Sequence, residues 1–405
     1  METALSRVPR FSVEHRGGEF RLREACELSA AEREYLELYL RRVSRYRPIG
    51  QFRGSPVLSL YQPPLATAPG TRSLALRLSR RFSGRRIPAT ATLAVNRACQ
   101  CECEHCSAVF YNHGGSAELS GETWHEAIRQ GLDLGVTEVI FLGGEPLLRR
   151  DLVELVRAVD SQRAVATLFT NGEFLSPERC AALAGAGLLG AFVSLDSPEP
   201  EEHDRLRRRP GLYDKALAGI AHLQRAGALT AISTYLSPER LARGAFEAMM
   251  ELGRELGVNE VTFFDAIPSG RWLGCEAQLL RPPDRDKISR LVREYRGKPA
   301  YPGISAQSLL TSEGGSAYCF AGNTQFYLNS HGEMCPCDFT PLTIGRFPEE
   351  SLSALWERLT RTPPYDRRAK SCRMQDPEFR RAYIEPIVSA DKFPVALGLG
   401  KKAPD

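Results

Sequence analysis

Beyond residue 88 the chain alternates short apolar runs with longer stretches whose apolar residues return every third or fourth position. A short apolar run bounded by turn formers reads as a strand covered on both faces, and the longer period reads as an amphipathic helix. The strands fall at 91–95, 138–142, 165–170, 190–195, 229–234 and 260–264, and the helices at 124–134, 152–160, 177–186, 213–225 and 238–256. Strand–helix alternation of this kind gives parallel sheets with right-handed crossovers. Six such units predict an α/β fold, a partial (β/α)6 TIM-like barrel with its site at the C-terminal ends of the strands.

The pattern divides the chain at two places. Residues 1–88 form an N-terminal, arginine-rich region, in which Ser29 caps a helix whose apolar positions run on through Tyr39 and Leu40. Pro48, Pro56, Pro63, Pro64 and Pro69 follow, and they predict an extended segment wrapped on a neighbour more than a compact module. The barrel takes residues 89–290. From 291 to 405 glycines and aromatics replace the alternation, and a small α+β domain is expected, opened by a hairpin at 324–328 with a turn at Asn329-Ser330-His331-Gly332.

Composition narrows the class. The 405 residues suffice for two or three domains, and 42% hydrophobic with 25% charged residues is ordinary for a globular protein. No apolar run is long enough to cross a membrane, and residues 1–11 lack an apolar signal core, so a cytoplasmic location is expected. Charge is unevenly spread: from Leu38 to Cys101 there are a dozen arginines and no Asp or Glu, within a net charge of only +4. Such a segment is either a solvated face or a site for an anionic partner, whether a phosphate, an acidic peptide or a peripheral membrane contact. No recognition motif accompanies the charge, which argues against nucleic acid.

Four of the eleven cysteines crowd into residues 99–106. Thiolates packed on one loop repel unless a cation or an iron-sulfur core holds them. Cys99, Cys103 and Cys106 are spaced C-x3-C-x2-C, which can hold three irons of a [4Fe-4S] cube and leave the fourth open to a ligand. Cys101 offers a second register, C-x-C-x2-C, and a structural zinc loop using all four thiols is the alternative reading. Farther on, Gly143-Gly144-Glu145-Pro146 follows the second strand, where the glycines make either a tight turn or a close approach to a ligand.

These motifs, in this order, resemble the radical S-adenosylmethionine (SAM) superfamily. The resemblance implies that Cys99, Cys103 and Cys106 hold a [4Fe-4S] cluster whose open iron takes SAM, cleaved reductively to a 5′-deoxyadenosyl radical that abstracts hydrogen from substrate. It implies that Gly143, Gly144, Glu145 and Pro146 bind the methionine end of SAM, with Asn171 of Thr170-Asn171-Gly172 close by. Ser194-Leu195-Asp196, then His203-Asp204, Arg207 and Pro210-Gly211, resembles a passage of one branch of the family, and it implies that Ser194 and Arg207 hold the ribose or carboxylate. Pro268-Ser269-Gly270-Arg271 matches a turn of the same branch. Cys319, then Cys335-Pro336-Cys337, then Gly345 resembles the opening of a SPASM or Twitch domain. That implies one auxiliary iron-sulfur cluster on Cys319, Cys337 and Cys372; alternation puts Cys335 on the same face as Cys337 and makes it the fourth ligand, the alternative being a bystander Cys335 with the fourth position open or filled by substrate. A full SPASM domain has more cysteines, so a second auxiliary cluster is not expected. Cys26, Cys180 and Cys275 read as ordinary thiols.

The substrate expected from the resemblance is a peptide or protein, as in ribosomal-peptide maturation, with flavodoxin or ferredoxin as electron donor. A tetrapyrrole or aminocyclitol small molecule is the alternative, because the N-terminal region shows no winged-helix pattern. A non-catalytic metal-binding protein is the alternative from another class.

Overall fold

The computed structural model describes residues 11–109, 117–311 and 318–398 except 26–27, so Cys26 and the first ten residues lie outside it. The N-terminal region begins with an antiparallel hairpin of β1 (Phe11–Arg16) and β2 (Glu19–Ala25). Helix α1 (Ala30–Val43) starts at the capping box of Ser29 and Glu32 and buries Leu36, Leu40 and Val43 along one stripe. A small hairpin of β3 (Gly50–Phe52) and β4 (Ser55–Val57) follows, then helix α2 (Ala68–Phe82).

The prolines therefore do not keep this region extended throughout. Thr67 caps α2 and Pro69 sits in its first turn, where its missing N–H costs nothing. Leu74, Ala75 and Leu78 of α2 then join Phe11, Val13, Phe20, Leu36 and Leu40 in a core of their own. Only the strap between the helices behaves as the prolines predicted. Its Val57 and Leu60 pack on Val165, Leu189, Phe192 and Leu229 of the sheet, and burying Leu60 completely is worth roughly 1.5–3 kcal/mol. The Glu260 carboxylate fixes the strap, accepting from the Leu60 amide at 2.9 Å and the Ser59 hydroxyl at 2.8 Å.

Along the barrel come β5 (Thr90–Ala94), α3 (Gly121–Leu134), β6 (Glu138–Leu142), α4 (Leu152–Arg157), β7 (Val165–Thr170), α5 (Pro177–Gly185) and β8 (Leu188–Ser194). Then come α6 (Pro200–Arg207), α7 (Leu212–Arg225), β9 (Leu229–Leu236), α8 (Pro238–Ala242), α9 (Ala245–Glu255), β10 (Glu260–Asp265), α10 (Pro282–Arg296) and β11 (Gly303–Ala306). All six expected strands are present and parallel, in sequence order. The helix expected over 238–256 is two, because Gly244 at φ +80° breaks it.

The sheet is wider than six strands. Strand β11 adds in parallel beyond β10, and β12 (Gln325–Leu328) adds in parallel to β5 at the opposite edge, followed by antiparallel β13 (Met334–Cys335). The C-terminal hairpin is thus an extension of the barrel sheet. The chain after it reaches across to β10: Phe339 lies 6.1 Å from Phe264 by ring centroids, and Gln375 donates to Asp265 at 2.7 Å. Helix α11 (Leu352–Arg361) backs the hairpin, burying Leu352, Leu355, Trp356 and Leu359.

Candidate active site

The barrel encloses a cavity of about 1100 Å³ with thiols at both ends. Cys99, Cys101, Cys103 and Cys106 line it on the loop after β5, where the parallel strands end. Cys319, Cys337 and Cys372 line it from the C-terminal segment. Because β12 runs parallel to β5, Cys319 belongs to the end of the sheet where those strands begin.

Neighbouring turns hold the cysteine loop by its backbone. The amides of Gly144 and Glu145 donate to Asn96 O at 2.9 Å and Ala98 O at 2.7 Å. A β-carbon on Gly143 would lie 2.3 Å from Asn96 Oδ1, and one on Gly144 would lie 2.4 Å from Ala98 O and Arg97 O. Both glycines are therefore needed for this approach, and both line the cavity. Gly270, at φ +59°, meets the other side of the loop. A β-carbon there would sit 1.9 Å from Cys106 O, to which Arg271 N donates at 3.0 Å.

Glu145 is buried and fully engaged, accepting from Thr170 Oγ1 at 2.8 Å, Asn171 N at 2.8 Å and Leu147 N at 3.0 Å. Burial raises its carboxyl to about 7 in spite of those bonds. Pro146 starts a 3-10 turn, Pro146–Leu148, and does not line the cavity. Asn171 spans Cys101 Sγ at 3.6 Å and Gln100 Nε2 at 3.2 Å, and Ser194 lines the cavity at the end of β8.

Arg207, at the end of α6, is buried with its Nε on Asp196 Oδ2 at 2.8 Å and its Nη1 3.9 Å from Cys103 Sγ. Burial works against the Asp196 charge, but Arg207, with His105, His203 and Arg240 adding to it, outweighs burial and holds the carboxyl well below its usual range. Asp196 was only part of a motif in the sequence, yet it organises this corner. Its Oδ2 also lies 3.6 Å from His105 Nε2, and its Oδ1 is buried without a partner. His105 stays neutral, lowered to about 4 by burial first, and its ring packs 4.3 Å from Tyr235 and 6.0 Å from Trp272. A hydrogen bond from Cys101 lowers the Cys103 thiol to about 7 against the effect of burial, with Arg207 adding to it. The thiolate is the ligating form, so Cys103 is prepared for metal.

At the other end, the Cys372 thiol donates to Cys319 and brings it down to about 6, while burial pushes Cys337 up to about 12. Cys337 Sγ lies 3.2 Å from Thr340 Oγ1. Cys335 is placed apart from these three. Strand β13 ends at Cys335, so the alternation expected to bring it onto the face of Cys337 is broken, and its side chain packs with Ala94 and Tyr327. Cys180 is buried in the core, and Cys275 is half-buried and does not line the cavity.

Among the described residues no three Cys, His, Asp or Glu side chains close on one point as they would around a single ion. An iron-sulfur cube is larger, and its thiolates bind separate corners. A three-thiol loop beside two obligate glycines, facing the unpartnered Asp196 Oδ1, suits such a cube carrying an amino-acid-derived ligand.

Fold and site together define an iron-sulfur enzyme built on an open parallel barrel. Residues 93–240 match the radical SAM superfamily model and residues 319–377 match the SPASM iron-sulfur cluster-binding domain. A PqqA peptide cyclase of Rhizobium meliloti is 31% identical over 285 residues, 67% of this chain and 74% of that protein. An AdoMet-dependent heme synthase of Methanosarcina barkeri is 28% identical over 280 residues, 64% of this chain and 79% of the relative. Among solved structures, Streptococcus suis SuiB bound to precursor peptide SuiA superposes with a TM-score of 0.59 at 15% identity, covering 88% of each chain, a likeness of fold. The chain belongs to the radical SAM superfamily and carries a C-terminal SPASM domain. It is an enzyme whose cofactors are a [4Fe-4S] cluster, an auxiliary iron-sulfur cluster and SAM, which removes the non-catalytic metal-binding alternative. No helix among the described residues is long and apolar enough to cross a membrane.

Proposed function

We propose that this enzyme modifies a peptide or protein side chain by hydrogen abstraction inside the barrel. The observation that carries the reading is that one cavity, of about 1100 Å³, is lined by both thiol sets and so can take a side chain between the two cluster sites. Bound to Cys99, Cys103 and Cys106, a reduced cluster with SAM supplies a hydrogen-abstracting radical. The chain's own residues do the rest. Gly143 and Gly144 let the ligand approach backbone, Asp196 and Arg207 fix the loop beside Cys103, and the apolar walls exclude water from the reacting centre. Cys319, Cys337 and Cys372 hold the auxiliary cluster in this reading, and a flavodoxin or ferredoxin delivers the electron.

Likeness to the peptide cyclase and to a precursor-bound fold supports a peptide. Likeness to the heme synthases keeps a tetrapyrrole as the second reading. The test is anaerobic incubation with SAM, dithionite and short peptides encoded beside its gene, followed by mass spectrometry. A changed peptide mass with 5′-deoxyadenosine above the substrate-free level is expected, and turnover of tetrapyrroles alone would overturn the peptide reading.

A further inference from the structure

The dozen arginines of the acid-free segment do not share one fate. Arg41, Arg42 and Arg45 are exposed on and just after α1 and do not line the cavity. Arg77, Arg80 and Arg81 of α2 do line it, beside Ala89 and Thr90 at the start of β5. Arg368 lines it from the C-terminal side, near Cys319, whose amide donates to Ala369 O at 2.9 Å.

We propose that Arg77, Arg80, Arg81 and Arg368 form a carboxylate-binding entrance to the cavity. It receives an acidic segment of the substrate whose reacting group lies deeper in the barrel, an inference that rests on the cavity being the peptide site. None of the four forms an ion pair with a carboxylate among the described residues. Arg77 donates to Tyr35 Oη at 2.9 Å and lies over the Tyr39 ring, Arg80 donates to Ile87 O at 3.2 Å, and Arg368 lies over the Tyr318 ring. The group is electrostatically frustrated as it stands. Arg80 is pushed down to about 10, by burial first and then by Arg77 and Arg368. Arg86 is likewise lowered by burial and then by Arg368 and Arg373.

Like charges gathered at the mouth of a large cavity cost stability until a counter-charge arrives. Each guanidinium presents a planar fork that matches a carboxylate in two hydrogen bonds, and Tyr35 and Tyr39 steady Arg77 as Tyr318 steadies Arg368.

The test uses the cluster-loaded protein and three hexapeptides of glutamate, glutamine and lysine, with binding followed by calorimetry. The glutamate peptide should bind, the others should not, and binding should vanish near 1 M salt, where the screening length falls to about 3 Å. Reversal of two exposed members, Arg81→Glu with Arg368→Glu, should weaken it by at least roughly tenfold, and lysine at both positions should restore most of it. The equal charge change off the cavity, Arg41→Glu with Arg42→Glu, should leave binding as it was. Iron content and the thermal midpoint report whether each variant has folded. Equal weakening by both pairs, or none by the entrance pair in folded protein, overturns the entrance. A separate arm uses coproporphyrin, a tetracarboxylate. Arginine-dependent binding of coproporphyrin without the glutamate peptide would uphold the entrance and overturn the peptide reading.

Discussion

Arg207 joins Asp196 Oδ2 at 2.8 Å on one side and reaches Cys103 Sγ at 3.9 Å on the other, so one buried guanidinium links the end of the β8 strand to the cysteine loop. The Glu102 and Glu104 amides donate to Arg207 O and Leu206 O at 3.2 and 2.9 Å, which ties loop and helix together by backbone as well. Arg207→Ala leaves Asp196 charged, buried and without its main partner. A loss of roughly 3–5 kcal/mol in denaturant unfolding is expected, and adding Asp196→Asn should return part of it, because the second change removes the stranded charge. If the double variant is no more stable than Arg207→Ala, the pair is not what holds this corner.

Removing one of three thiols takes a corner from the cluster with no replacement at that spacing. Cys103→Ala should abolish 5′-deoxyadenosine formation under strong reductant, whereas Cys101→Ala should retain most of it. Chromatographic assay of 5′-deoxyadenosine decides between the registers, which share Cys103 and Cys106; full activity in Cys99→Ala with none in Cys101→Ala would move the ligand set to Cys101.

Iron analysis separates the two thiol groups. With Cys99, Cys103 and Cys106 all replaced by Ala, about four irons per chain should remain after anaerobic reconstitution, held by the C-terminal set, against about eight in the native protein. Cys335→Ala should keep the full complement, since its side chain packs on Ala94 and Tyr327, and Cys372→Ala should lose the auxiliary share. An iron-free triple variant would mean that the C-terminal thiols hold no cluster of their own.

Much of the barrel was legible because its strands are buried on both faces, and so they appear as apolar runs; all eight residues of β9 are buried. The cysteine loop and the glycine turn were legible because their chemistry is local in sequence. What was hidden is pairing over long separations. Nothing in Gln325–Leu328 announces that it pairs in parallel with Thr90–Leu93, more than two hundred residues earlier, which carries Cys319 to the far end of the cavity. The compact N-terminal core was hidden by prolines that begin a helix as readily as they extend a chain. Asp196 was read as one letter of a motif, since its role depends on Arg207 and His105 folding back onto it. The arginines were counted as one basic stretch, and only the direction of α2 singles out Arg77, Arg80 and Arg81.

Gly144→Ala tests whether the glycine turn serves the loop. Its β-carbon would meet Ala98 O and Arg97 O at 2.4 Å, and those atoms are backbone that cannot swing aside. A destabilisation of roughly 1–3 kcal/mol is expected, with a rise in the SAM dissociation constant measured by calorimetry on the reconstituted protein. Gly185→Ala is the control, as nothing lies within 4 Å of its added carbon, and it should be neutral.

Glu138 sets the pH dependence of the barrel floor. Its side chain lines the cavity at the start of β6, where Thr90 donates to Oε2 at 2.9 Å and Oε1 has no partner. Burial raises the carboxyl to about 8; the Thr90 bond opposes this, and the Glu260 charge on β10 adds to it. The folded chain therefore keeps a proton on Glu138 between an ordinary carboxyl pKa of about 4.3 and 8, while the unfolded chain has released it. Fewer protons bound in the unfolded state make stability fall as pH rises through that window, with no further loss from this group above it. Glu138→Gln keeps the shape and the acceptor but cannot ionise. Its unfolding free energy relative to the native protein should climb steadily from pH 5 to pH 8 and then level off. A difference that is flat across that range would show that the carboxyl ionises normally and that something in the cavity already compensates its charge.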